Sequence, residues 1–256
     1  MRVKKSLIAT VAFVTAVSGC GGGGGSDTDP SVCSTLKIAG GAECPDAPNQ
    51  IVVVGTSAGY CSGTFITANQ VLTAGHCFAD GGTSATILSQ YFSYSSTRVQ
   101  VHPGFNPYVP SDQNDVAIVT IGQNAPVNPV PINTSRGVAA GDGVVTYGFG
   151  LDQNDETFVE RIESGEAPLK ATTLEVIGVS DFSVDSISDG SGDTCQGDSG
   201  GSLLLEGNNG QPGIVAIVRA GPSACRVSGG SSDNTNLQAA SVLNFVRSAA
   251  PGARFN

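Results

Sequence analysis

The chain has 256 residues, 13% of them charged, a net charge of −10 and no Trp. An acidic balance of this size speaks against nucleic acid as a partner, and the length supplies a core without help from metals. Thirty-five glycines beside many Val, Ile and Thr favour a β-rich fold with many turns over a helical one.

At the N-terminus, Arg2, Lys4 and Lys5 precede the apolar run Leu7–Val17, which is too short to span a bilayer as a helix. Residues 1–19 read as an export signal ending at Val17-Ser18-Gly19-Cys20. That ending resembles the bacterial lipobox, which implies a lipidated Cys20; an ordinary secretory signal is the alternative. Gly21–Gly25 and Ser26–Pro30 follow as a flexible tether within 20–37. The expected location is the bacterial cell envelope, on a membrane surface through a lipid anchor, or outside the cell. Seven cysteines suit such an oxidising compartment. With Cys20 set aside, Cys33, Cys44, Cys61, Cys77, Cys195 and Cys225 allow fifteen pairings, and spacing does not choose among them. No spacing reads as a zinc site, and no cofactor is expected.

From residue 38 onward, short apolar runs alternate with turn clusters. Ile51–Val54, Gly63–Ile66, Val71–Thr73, Arg98–Val101, Val116–Ile121, Val144–Tyr147, Ser202–Leu205 and Ile214–Val218 are expected strands. Asp80-Gly-Gly82, Pro103-Gly104, Gly141-Asp-Gly143 and Glu206–Gly210 punctuate them. The one expected helix is Asn236–Ser248, with Leu237, Val242, Leu243 and Val246 on one side. The fold class is therefore all-β, a sandwich or a pair of barrels, in one domain over 38–256.

Three short segments can carry chemistry. His76 follows an apolar run in Val71-Leu-Thr-Ala-Gly-His-Cys77, whereas His102 in Val101-His-Pro-Gly104 sits beside a turn and is expected at the surface. Asp115 opens the apolar run Val116–Val119. In Asp193-Thr-Cys-Gln-Gly-Asp-Ser-Gly-Gly201, glycines surround one serine. Glycine admits tight backbone geometries and close approach, which suits a nucleophile beside an anion-binding nest, although such clusters also form plain surface turns.

"TAGHC", "NDVAIV" and "GDSGG" in this order resemble the chymotrypsin/trypsin family of serine peptidases. "IAGG" at Ile38–Gly41, "CSGTFI" at Cys61–Ile66, "VHPGFN" at Val101–Asn106 and "YGFG" at Tyr147–Gly150 extend the resemblance over Ile38 to Val246. It implies two six-stranded antiparallel β-barrels with a C-terminal helix, and a site in the cleft between the barrels. By the family's mechanism Ser199 is the nucleophile, His76 the general base and acid, and Asp115 the carboxylate that orients the imidazole. The N–H groups of Gly197 and Ser199 would form the oxyanion hole.

The resemblance also implies a zymogen cut between Lys37 and Ile38, by a trypsin-like peptidase or by the protein itself. The new α-amino group of Ile38 would then pair with Asp198. Asp193 occupies the place of the specificity-pocket carboxylate, which implies protein or peptide substrates cut after Arg or Lys. Cys61 is expected to pair with Cys77 and Cys195 with Cys225, leaving Cys33 and Cys44 for each other across the proposed cut. Ser89–Val99, where trypsins often bind calcium, holds no acid, and no calcium is expected there.

The chain departs from the family at the pocket walls. Where Ser-Trp-Gly is usual, either Ala216-Ile217-Val218 or Arg219-Ala220-Gly221 stands, and Arg219 could neutralise Asp193. The Gly-Val-Tyr motif expected near Asn234–Leu237 is lost. Two alternatives follow: a peptidase of the same mechanism preferring small or apolar residues, and a non-enzymatic binding module on a peptidase scaffold.

Overall fold

The structure is a computed structural model that describes residues 49–89, 91–109, 114–151, 158–164, 169–188, 190, 192–222, 225 and 230–256. The sites expected at Cys20, Cys33, Lys37, Ile38 and Cys44 lie outside these residues.

Alternating apolar residues close a first barrel from β1 (Ile51–Thr56), β2 (Gly59–Thr67), β3 (Gln70–Thr73), β4 (Thr86–Ser89), β5 (Phe92–Val101) and β6 (Ala117–Ile121). Its order is β1-β2-β3-β6-β5-β4. The second barrel contains β7 (Gly143–Gly148), β8 (Lys170–Val179), β9 (Ser183–Ser188), β10 (Ser202–Glu206), β11 (Pro212–Ala220) and β12 (Ser231–Asn236). Its order is β10-β11-β12-β9-β8-β7, and every named pairing in both barrels is antiparallel. Closure leaves neither sheet with an open edge.

The run Ile51-Val-Val-Val54 is continuous because both faces of β1 are buried. Val52 and Val54 join the cluster with Phe65, Val71 and Val119 inside the first barrel. Ile51 and Val53 join a second cluster that includes Tyr147 and Ile214 of the second barrel and Val242 and Val246 of α2 (Ala240–Ala249). Successive strand side chains point to opposite faces, so one strand contributes to two cores.

All eight expected strands are present, and four more were not foreseen. β12 reads Ser-Ser-Asp-Asn-Thr-Asn, yet Ser232, Asn234 and Asn236 are buried. Asn234 Nδ2 donates to Val184 O at 2.7 Å and to Ser186 Oγ at 3.0 Å, which offsets the desolvation of its NH2 group. The C-terminal helix begins at Ala240 rather than Asn236, because Asn236 completes β12 and the Leu237 N–H donates to Val215 O at 3.0 Å. A short helix, α1 (Phe158–Glu163), was also not foreseen. His102 is a correction: it is buried, with its ring 5.0 Å from that of Phe245 on α2. No described helix is long and apolar enough to cross a membrane, which says nothing of a β-barrel in one.

Candidate active site

After β3 the chain makes a single 3-10 turn, Gly75–Phe78, that carries His76. The Cys61–Cys77 disulfide ties this turn to β2. The His76 backbone N–H donates to Asp115 Oδ1 at 2.7 Å, and His76 Nδ1 lies 2.6 Å from Asp115 Oδ2. A carboxylate accepts, so Nδ1 carries the proton and Nε2 keeps a free lone pair. The Asp115 side chain is 2% exposed and that of His76 is 33% exposed. The imidazole is therefore partly open to solvent while its carboxylate is shielded. Thr235 of β12 donates to the Asp115 carbonyl at 3.1 Å, so the second barrel helps to fix the acid.

The Gly197–Gly201 turn is pressed against the first barrel. Ser62 of β2 donates its N–H to Ser199 O and its hydroxyl to Gly197 O, both at 2.8 Å. Gly200, with φ +81°, leaves no room for a side chain, whose first carbon would lie 2.5 Å from Ser62 O and 2.8 Å from Ala74 N. That contact puts Ser199 beside the segment that leads into His76. Gly197 has φ +94°. Neither its amide nor that of Ser199 has an acceptor among the described residues. Two free N–H groups flanking a serine can stabilise an oxyanion. No hydrogen bond joins Ser199 Oγ to the His76 ring here, an arrangement common where that bond tightens only around substrate.

Asp193, the expected carboxylate of the specificity pocket, is buried. Thr194 N–H donates to its Oδ1 at 2.8 Å and the Ser232 hydroxyl lies 3.3 Å away, whereas Oδ2 has no partner among the described residues. Burial pushes its pKa up, against the lowering effect of those two donors. The near wall is Arg219-Ala220-Gly221: a side chain on Gly221 would start 2.6 Å from Thr194 Oγ1. A side chain on Gly230 would collide with Asp193 Oδ2, which places the far wall at Gly230–Ser232, upstream of the expected Asn234–Leu237. Arg219 forms its ion pair with Asp233, and no arginine figures among the causes of the Asp193 shift. The Cys195–Cys225 disulfide closes this region.

Asp198 is fully buried. It accepts from Cys195 N and Gly150 N, both at 2.8 Å. A side chain on Gly148 or Gly150 would collide with its carboxylate, which explains both glycines of Tyr147-Gly-Phe-Gly150. Burial pushes its pKa up to about 7, opposed by the two amides and by the charge of Lys170. Lys170 is itself buried, with Nζ 3.4 Å from Gly150 O.

Sequence reasoning missed Ser62, Lys170, Gly230, Ser232 and Thr235, whereas Gly221 lay in one of its two candidate wall segments. Only Ser62 carried a signal, because it lies inside "CSGTFI". Among the described residues the one grouping with metal-ligand spacing is Cys61, His76 and Cys77. Its two thiols are consumed by the disulfide, so it cannot act as a metal site.

A family model described as Trypsin matches residues 38–239. "Trypsin 5G1" of Aedes aegypti is 29% identical over 240 residues, covering 84% of this chain and 88% of that protein. "Renal glandular kallikrein" of Mastomys natalensis is 30% identical over 233 residues, covering 79% and 85%. "Trypsin" of Xenopus laevis is 29% identical over 196 residues, covering 67% and 76%.

Proposed function

This chain belongs to the trypsin family of serine peptidases, and on that footing we propose that it is an endopeptidase cutting after Arg or Lys. The observation that carries the reading is the His76–Asp115 pair set against the serine-bearing turn. Ser199 Oγ attacks the scissile carbonyl while His76 Nε2 takes its proton. The Gly197 and Ser199 amides hold the resulting oxyanion. His76 then returns the proton to the leaving amine as the C–N bond breaks, and water repeats the sequence on the acyl-enzyme.

Preference for Arg or Lys draws its support from Asp193, whose Oδ2 has no partner among the described residues and faces Gly230, where any side chain would collide with it. A bound guanidinium or ammonium would offset the cost of burying that carboxylate. The test is fluorophosphonate labelling of Ser199, followed by turnover of matched peptides with Arg, Lys or Ala before the scissile bond. Loss of labelling in the wild type would leave only a binding module; faster Ala cleavage would favour the apolar alternative.

Activation by cleavage between Lys37 and Ile38 is part of the same reading. The family match begins at Ile38, and Asp198 is a buried acid into whose site an α-amino group could bring a further cation. The exported chain would be anchored through lipidated Cys20, and a Cys33–Cys44 disulfide would keep the cleaved stub attached. Activated protein should then stay with membranes until a reductant is added. Release on cleavage alone would sink the anchor or the disulfide.

A further inference from the structure

His102 takes no part in the site above, yet both of its ring nitrogens are engaged. Gly104 N–H donates to Nδ1 at 3.0 Å, and Nε2 lies 3.1 Å from Ser241 Oγ and 3.4 Å from the Ser241 carbonyl. Because Nδ1 accepts, the ring proton sits on Nε2 and the ring is neutral. Ser241 Oγ–H in turn donates to Asn114 Oδ1 at 2.9 Å. Hydrogen bonds therefore run one way, from His102 through Ser241 of α2 to Asn114.

Both arms of this cluster end at the His76–Asp115 pair. Asn114 directly precedes Asp115, and its carbonyl accepts from Val116 N at 2.8 Å, while His102 N–H donates to Val116 O at 3.0 Å. On the other arm, Gly104 leads into Phe105. The Phe105 ring lies 3.2 Å from where a side chain on Gly75 would begin, one residue before His76. We propose that His102 is a positioning residue for catalysis, holding Asp115 through Ser241 and Asn114 and the His76 turn through Gly104 and Phe105. It touches no reacting atom. The inference rests on the reading of Ser199, His76 and Asp115 as the catalytic set.

Protonation would place an N–H on Nδ1 facing the Gly104 N–H, and break that arm. The groups that meet the ring are uncharged: Ser241 and Phe245 from α2, Gly104 and Asn114 from the loop, and Val116 at the approach to β6. The neighbouring acid, Asp115, is bonded to His76, and Asp112 lies outside the described residues. Burial pushes the His102 pKa down. The neutral ring's contribution is thus fully present above about pH 6.5, the usual free value, and is lost as pH falls through the lowered folded value.

The test uses the activated wild type with Ser241→Ala and His102→Gln, turnover being normalised to labelled Ser199. Ser241 is exposed, so its variant removes one hydroxyl without opening the core. His102→Gln keeps a donor toward Ser241 but loses the acceptor for Gly104. Both should lower kcat about tenfold with KM nearly unchanged, less than the roughly 10²-fold cost of a 1 Å misplacement. The NMR resonance of the His76 proton bonded to Asp115 should shift or exchange faster in both. With an Ala peptide, which does not report the Asp193 charge, acidification should cost wild type up to about tenfold more kcat/KM than it costs His102→Gln. An unchanged kcat and unchanged His76 resonance in Ser241→Ala, or acid limbs of the same shape in wild type and His102→Gln, would overturn the proposal. A wild type that fluorophosphonate does not label would instead sink the peptidase reading, and the His76 resonance would still decide whether His102 holds the pair.

Discussion

In the first barrel Asp115 binds His76 through both carboxylate oxygens, one to the backbone N–H and one to the ring. In the second barrel Asp193 and Asp198 are as deeply buried, but their hydrogen-bond donors are neutral, at 2.8–3.3 Å, with the charge of Lys170 also acting on Asp198. Burial raises the pKa of both. The first barrel thus completes its acid site from within the described chain. The second holds two carboxylates in surroundings that favour a further cation. In the proposed function, one such cation arrives with the substrate and the other is made by cleavage at Ile38.

This contrast can be broken at several points, the first being its premise that the two barrels share one reaction. Ser199→Ala should lower kcat by about 10⁴- to 10⁶-fold with little change in melting temperature. A variant retaining a tenth of the activity would remove Ser199 as nucleophile. Asp193→Asn should lower kcat/KM for an Arg peptide by about 10²- to 10³-fold, the scale of breaking a buried ion pair, and leave an Ala peptide nearly unaffected. An equal loss on both peptides would mean that Asp193 serves the fold rather than the substrate.

A smaller effect separates Asp193 from His76. The ratio of Arg to Ala cleavage cancels the titration of His76 and reports the pocket charge alone. Because the Asp193 pKa is raised, the carboxyl becomes neutral at a higher pH than a free aspartate. The ratio should therefore fall on acidification, by about tenfold for each pH unit at most. A ratio that stays flat down to pH 4 would contradict the raised value.

The smallest expected effect is on stability. The folded Asp198 pKa of about 7 lies above the usual free value near 3.9, so its contribution is fully present below that free value. It is lost as pH rises through about 7. Uncut Ser199→Ala protein should lose at least ~1 kcal/mol between pH 5 and pH 8, a fall of about 2–4 °C in melting temperature. Protein cut after Lys37 should lose less, and Asp198→Asn should flatten the curve. Identical curves for cut and uncut protein would disprove pairing of Asp198 with Ile38.

Much of the candidate site was legible because its signals are local. Gly197–Gly201 announces a turn, in which Gly200 and Gly201 leave no room for a side chain and Gly197 takes a positive φ, and His76 and Asp115 flank apolar runs that had to be strands. The strand β1 and the two strands that follow it, β2 and β3, were equally plain from apolar residues. β12 was not, since Ser231–Asn236 contains no apolar residue at all. His102 was misplaced for a related reason. A histidine beside Pro-Gly reads as surface until Ser241, 139 residues away, supplies its partner.

The sequence by itself determined the alternation of apolar residues, the turn glycines, and the order of His76, Asp115 and Ser199, because backbone geometry and side-chain period act over a few residues. Only the tertiary structure decided which wall segment faces Asp193, that Arg219 pairs with Asp233, and that Asn234 can be buried. Each of these depends on partners distant in sequence, as with Asn234 and Val184, 50 residues apart. Whether a polar group can be buried, and in which protonation state, depends on which donors, acceptors and charges the closed barrels bring to it.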